Sequence, residues 1–201
     1  MTREKTIKVY SFDELPPKIR EKIVESTQRR LYEDLEPELI TECFEQVLEE
    51  EGLPADDIRW SLSNCQGDGV AFYGTIDVSE YVKAQKDKQN FTQAEWDLIS
   101  KADQDGQLSI KIEKSRAFHM YDHWNTMIVD MEMGEDYYDG KGKLIPPFDD
   151  LEEVIKTDIK NISHRLEDMG YKAIDDITSE AEALEAIKSS ENEYDENGKV
   201  V

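Results

Sequence analysis

Residues 58–75 hold two short alternating runs on either side of a turn-rich hexapeptide, and this pattern restricts the fold more than any other stretch. Ile58, Trp60 and Leu62 alternate with Arg59, Ser61 and Ser63; Val70, Phe72 and Gly74 alternate with Ala71, Tyr73 and Thr75. A period of two places each set on one face of a strand. Between them lies Asn64-Cys65-Gln66-Gly67-Asp68-Gly69, rich in residues that tolerate positive φ. The segment reads as a β-hairpin.

The other elements follow from the same periodicities. Residues 6–12 alternate and read as a short strand, after which Asp13 offers a helix N-cap and Pro16 and Pro17 fit a first turn. Leu15, Ile19 and Ile23 recur every four residues. A second helix begins at Pro37, with Ile40, Cys43, Phe44, Val47 and Leu48 as its buried stripe and Gly52 at its C′ position. Two short helices are expected over residues 78–86 and 92–102, the latter opened by a Thr92–Glu95 capping box. Leu108, Ile110 and Ile112, then Met127, Val129, Met131 and Met133, mark two further strands. A loop over residues 134–147 leads to a long helix carrying Leu151, Val154, Ile155, Ile159, Ile162 and Leu166, and residues 179–189 form a last short helix. The order β-αα-ββ-αα-ββ-αα predicts an α+β fold: an antiparallel sheet of about five strands with helices packed on one face. Residues 1–190 read as one domain, and residues 191–201 as a loosely held polar tail.

Charge narrows the choice of partners. The 201 residues carry 47 Asp and Glu against 24 Lys and Arg, a formal net charge of −23. Such a field repels nucleic acid and anionic membranes and attracts basic surfaces. Residues 31–58 hold eleven acidic residues and no Lys or Arg. Within them Glu38, Glu42, Glu45 and Glu49 share one helical face, where like charges oppose one another at a few tenths of a kcal/mol each. These four are the candidate partner-binding residues; an ordinary solvated surface is the alternative. The chain has no apolar run of the roughly 20 residues that span a bilayer. Its charged opening Met1-Thr2-Arg3-Glu4-Lys5 lacks the apolar region of a signal peptide. Cys43 and Cys65 define no disulfide framework. The expectation is a protein of the host cell cytoplasm.

Few motifs point to chemistry. Asp103-Gln104-Asp105-Gly106 resembles part of a calcium loop. With Gly106 at position 6, Lys101 and Ile112 fall at positions 1 and 12, where oxygen ligands belong; starting at Asp103 fails as well. His119 and His123 are four apart, but in an inter-strand segment, where that spacing does not bring two rings together. With His164 of the last long helix and Cys65 they define at most a weak metal or catalytic candidate. Gln66-Gly67-Asp68-Gly69 is the candidate turn site, yet it joins two strands and lacks the helix and Lys of a phosphate loop. Nucleophile elbows, zinc-protease motifs and Cys-x-x-Cys pairs are absent from the sequence, so no cofactor, metal or catalytic residue is expected.

The block Trp60-Ser61-Leu62-Ser63-Asn64-Cys65-Gln66-Gly67-Asp68-Gly69-Val70-Ala71-Phe72 resembles one found in small acidic proteins of bacteriophages and prophages. The opening Tyr10-Ser11-Phe12-Asp13-Glu14-Leu15, the pair Leu108–Glu113 and Met127–Glu132, and the ending Glu191-Asn192-Glu193-Tyr194-Asp195-Glu196-Asn197-Gly198 are similar to the same family. The resemblance brings no catalytic residue. It implies a role in the contest between phage and host, as some members are antitoxin-like or anti-CRISPR-like. Joined to the charge, it implies an inhibitor that occupies a basic nucleic-acid groove on a bacterial defence effector, Cas9-like in one form, without touching nucleic acid itself. The alternatives are an antitoxin-like or accessory protein with one specific protein partner, and an enzyme with its site at the hairpin turn.

Overall fold

The computed structural model describes residues 8–88, 90–116 and 121–201. Its regular elements are α1 (Pro17–Glu33), α2 (Pro37–Glu50), β1 (Asp57–Ser61), β2 (Gly69–Thr75), α3 (Val78–Gln85), α4 (Gln93–Gln104), β3 (Leu108–Lys114), β4 (Met127–Met133), α5 (Phe148–Ile177) and α6 (Glu180–Ser189). The fold is α+β, with an antiparallel sheet in the order β1-β2-β3-β4. No helix of the described residues is long and apolar enough to cross a membrane. The chain divides into two compact units, where the sequence offered no boundary.

The larger unit, Glu38–Gly170, contains the sheet. Register fixes its two faces. Ile58 pairs with Phe72 and Trp60 with Val70, and Gly74 faces Ile112, which in turn faces Val129. One face is therefore apolar throughout and carries the core, in which Phe44, Phe72, Trp96, Ile110, Leu151 and Leu166 are among the fully buried side chains. The Ser163 hydroxyl donates to the Val70 carbonyl and ties α5 to β2. The other face carries Arg59, Lys111, Glu113 and Asp130, all exposed, whereas Ala71 and Tyr73 of β2 on that face are buried.

β2 pairs with β1 along five residues but with β3 only at Gly74 and Thr75. Residues 121–127 fill the resulting split. The Phe72 amide donates to Met127 Sδ at 3.3 Å, and the Tyr73 and Thr126 hydroxyls lie 3.3 Å apart. This insertion brings the 121–126 segment against the hairpin turn.

The smaller unit combines Met1–Pro37 with Tyr171–Val201. Leu15, Ile23, Ile187 and Tyr194 form its buried cluster, with Tyr10, Phe12, Ile19 and Val24 packed around them. Two expectations are corrected here. Four strands replace about five: among the described residues of the expected strand over 6–12, Tyr10 makes only a single bridge, to Tyr194, and Phe12–Glu14 form a 3-10 turn. Ser11 causes this, since its amide and hydroxyl both donate to Glu14 Oε2 and pull the chain out of extension. As a result Pro16, not Asp13, stands at the N-cap of α1. The tail over 191–201 is also held. Tyr194 is 3% exposed and exchanges backbone hydrogen bonds with Tyr10, and Asp195 Oδ1 accepts from the amides of Asn197 and Lys199. An aromatic ring inside a core outweighs the polar composition of its neighbours.

Candidate functional site

The hairpin turn is organised by one carboxylate. Asp68 Oδ2 accepts from the amides of Ser63 (2.7 Å) and Cys65 (2.9 Å), while Oδ1 accepts from the Ser61 hydroxyl (2.9 Å), the Ser63 hydroxyl (3.2 Å) and the Cys65 thiol (3.1 Å). Asn64, Gly67 and Gly69 all take positive φ, as their side chains permit. A Cβ on Gly67 would collide with the Tyr121 ring, and one on Gly69 with the His123 side chain. The concave side of Gln66-Gly67-Asp68-Gly69 is thus covered by the aromatic segment, and the Asp68 oxygens are committed to the turn. This arrangement holds a hairpin against a loop. Its lone carboxylate is already saturated with donors, which leaves it ill suited to general acid or base work.

The histidines have structural partners. His123 caps the short turn Trp124–Thr126: its Nδ1 accepts from the Asn125 amide at 3.1 Å and its carbonyl from the Thr126 hydroxyl at 2.7 Å. His164 sits on α5 beside Trp124, with ring centroids 6.1 Å apart, and Lys160 Nζ lies 4.7 Å from the same Trp124 ring. His119 lies outside the described residues. Among the described residues no three His, Cys, Asp or Glu side chains gather as metal ligands. Cys65 is exposed, and its thiol contacts Asp68 and the Ser63 hydroxyl.

α2 shows a different kind of surface. Ile40, Phe44 and Leu48 are buried, and Glu38, Glu42, Glu45 and Glu49 are all exposed on the side away from them. Cys43, expected in the buried stripe, is exposed instead. At 100° per residue it stands well away from the Ile40–Phe44–Leu48 line and beside Leu39, which is 55% exposed. Among the described residues none of the four glutamates has an ion pair. Of the eleven acids in residues 31–58, Glu51 and Asp57 alone have ion pairs among the described residues. No basic residue occupies the last turn of α2, where Glu49 and Glu50 oppose the helix dipole.

Two polar contacts escaped the sequence reading because they join residues far apart in the chain. Glu51 bridges Lys88 (2.8 Å) and Arg165 (2.9 Å), partners 37 and 114 positions away. Burial works to raise its carboxyl, but these two cations outweigh burial and hold it below the ordinary value. Nearby in the same unit the buried Tyr81 hydroxyl donates to Asp158 Oδ2 at 2.8 Å. Burial raises the Asp158 carboxyl, against the lowering effect of that hydrogen bond. Asp158 also lines a cleft of about 490 Å³ with Glu95, Asp150, Glu153 and Phe91. Glu95 is engaged in the α4 capping box with Thr92, and Glu153 pairs with Lys156. The cleft is therefore lined largely by carboxylates with local structural duties.

No curated protein and no solved structure matches the chain. A family model described as a domain of unknown function, DUF8835, matches residues 37–183, which takes in all of α2, the sheet and α5. This match covers well over half of the chain, so the protein is a member of the DUF8835 family.

Proposed function

We propose that the protein is an acidic binding module whose α2 face docks on a basic surface of another protein. One observation carries the reading: Glu38, Glu42, Glu45 and Glu49 are exposed and without ion pairs among the described residues, and of the four only Glu38, in the first turn, is placed to favour the helix dipole. Their mutual repulsion and the acidic last turn cost the helix a few tenths of a kcal/mol per pair. The four carboxylates span eleven residues, or about 16 Å at 1.5 Å per residue. A row of that length suits a basic groove built for a nucleic-acid backbone. The resemblance to phage proteins supports the finer form of the proposal, in which the groove belongs to a nucleic-acid-binding effector of bacterial defence.

The test compares the wild type with a variant carrying Glu38→Lys, Glu42→Lys, Glu45→Lys and Glu49→Lys. Each is used to capture partners from bacterial lysate at low and high salt. A basic nucleic-acid-binding protein should be captured by the wild type at low salt, released by duplex DNA or guide RNA, and missed by the variant. Equal capture by both would remove α2 from the interface. The exposure of Leu39 and Cys43 beside the stripe favours a second reading, a specific antitoxin-like contact with an apolar component. In that case capture resists salt and is lost on Leu39→Asp.

A further inference from the structure

The smaller unit contains a cavity of about 200 Å³ between α1 and the turn formed by the last ten residues. Its lining runs against the character of the whole protein. The charged side chains among its lining residues are Lys22 and Arg30, both cationic, in a chain of net charge −23. They stand one helical turn on either side of Ser26, so the three share one face of α1. Thr27 from α1 and the amides of Asn192 and Asn197 from the C-terminal turn complete the polar wall.

Glu25 and Asp34 lie three and four residues beyond Lys22 and Arg30, within helical reach, yet among the described residues neither Lys22 nor Arg30 forms an ion pair. Most Lys and Arg of the described residues are likewise without an ion pair, so what sets these two apart is that both line one cavity whose lining holds no acidic residue. Asp195 belongs to the turn that closes the cavity, but its carboxylate is bound by the amides of Asn197 and Lys199 and is absent from the lining.

We propose that this cavity binds the phosphate group of a small molecule. The guanidinium of Arg30 offers a planar fork that matches phosphate oxygens, and Lys22 adds a second charge. Ser26, Thr27, Asn192 and Asn197 supply neutral donors. The volume accepts one phosphate and little beside it, being smaller than the usual 300–1,000 Å³ or so of sites that enclose whole ligands. The acidic field of the molecule opposes a polyanion, so a nucleic-acid backbone does not fit the same site.

The first probe is inorganic phosphate, titrated into the full chain at constant ionic strength with chloride as control and followed by amide NMR shifts. Saturable shifts centred on Lys22, Thr27, Arg30, Asn192 and Asn197 are expected. Affinity should fall at least tenfold in Lys22→Ala/Arg30→Ala, and less in Arg30→Lys, which keeps the charge and loses the fork. Both side chains are exposed, and an unchanged circular dichroism spectrum confirms that the variants fold. Shifts that chloride reproduces, or that survive the double variant, overturn the site. A second arm compares glycerol phosphate with a phosphoserine peptide. Tighter binding of glycerol phosphate supports the small-molecule assignment, and tighter binding of the peptide overturns it.

Discussion

Asp68 shows how one side chain can decide a turn. Its two oxygens collect five donors from Ser61, Ser63 and Cys65, a set assembled within eight residues of chain. Asp68→Ala strands the two amides and should cost about 2–4 kcal/mol in urea unfolding. A variant as stable as the wild type would mean that the carboxylate is there for chemistry instead. Glu51 and Asp158 make opposite predictions about pH. The Glu51 carboxyl is held below its ordinary value of 4.5, so its contribution is present above 4.5 and is lost as pH falls through the lowered folded value. Glu51→Gln should therefore cost about 1–2 kcal/mol at pH 7, and the difference should vanish in acid. Asp158 is raised above 3.8, so its favourable state is the protonated one, present below 3.8 and lost as pH rises through the raised folded value. Asp158→Asn keeps an acceptor for Tyr81 and should be more stable than the wild type at pH 7, with no advantage below 3.8. Thermal melts of both variants across pH 3–7, as an approximate working range, check the two signs together.

At the scale of elements, α2 combines a well-formed buried stripe with an outer face that works against the helix. Replacing Glu45 and Glu49 by Lys should stabilise the protein by about 0.3–1 kcal/mol, through relieved repulsion and a better match to the helix dipole. The same change should weaken partner binding under the proposed function. Stabilisation accompanied by loss of binding is the signature of a surface kept for recognition, and chemical denaturation beside the capture experiment measures both. The buried side of α2 was legible in the sequence because Ile40, Phe44 and Leu48 repeat every four residues. Cys43 was misplaced because an apolar residue at the margin of a stripe satisfies the same spacing whether or not a neighbour covers it. The hairpin was legible for a stronger reason: alternation and turn chemistry agree there, and Asn64, Gly67 and Gly69 take the positive φ that their residue types foretell.

At the scale of the molecule, residues distant in sequence close the smaller unit. Tyr10 and Tyr194 bond to each other across nearly the whole sequence, and the buried Tyr194 ring makes a polar tail part of a core. Tyr194→Ala should cost about 3 kcal/mol and expose residues 191–201 to protease, while Glu196→Ala at an exposed position should do neither. The sequence by itself determined the α+β class, the hairpin, the strands from Leu108 and Met127, the buried side of α2 and the concentration of acid around it. These properties depend on period, turn residue and composition, which act within a few residues. Only the tertiary structure decided the rest. It split β2 from β3 and seated residues 121–127 in the gap, paired Glu51 with Arg165, and gathered Lys22 and Arg30 with Asn192 and Asn197 around one cavity. Contacts of that kind join residues separated by tens to more than a hundred positions. Their free energy comes from burial and pairing in three dimensions, and no local pattern in the chain encodes it.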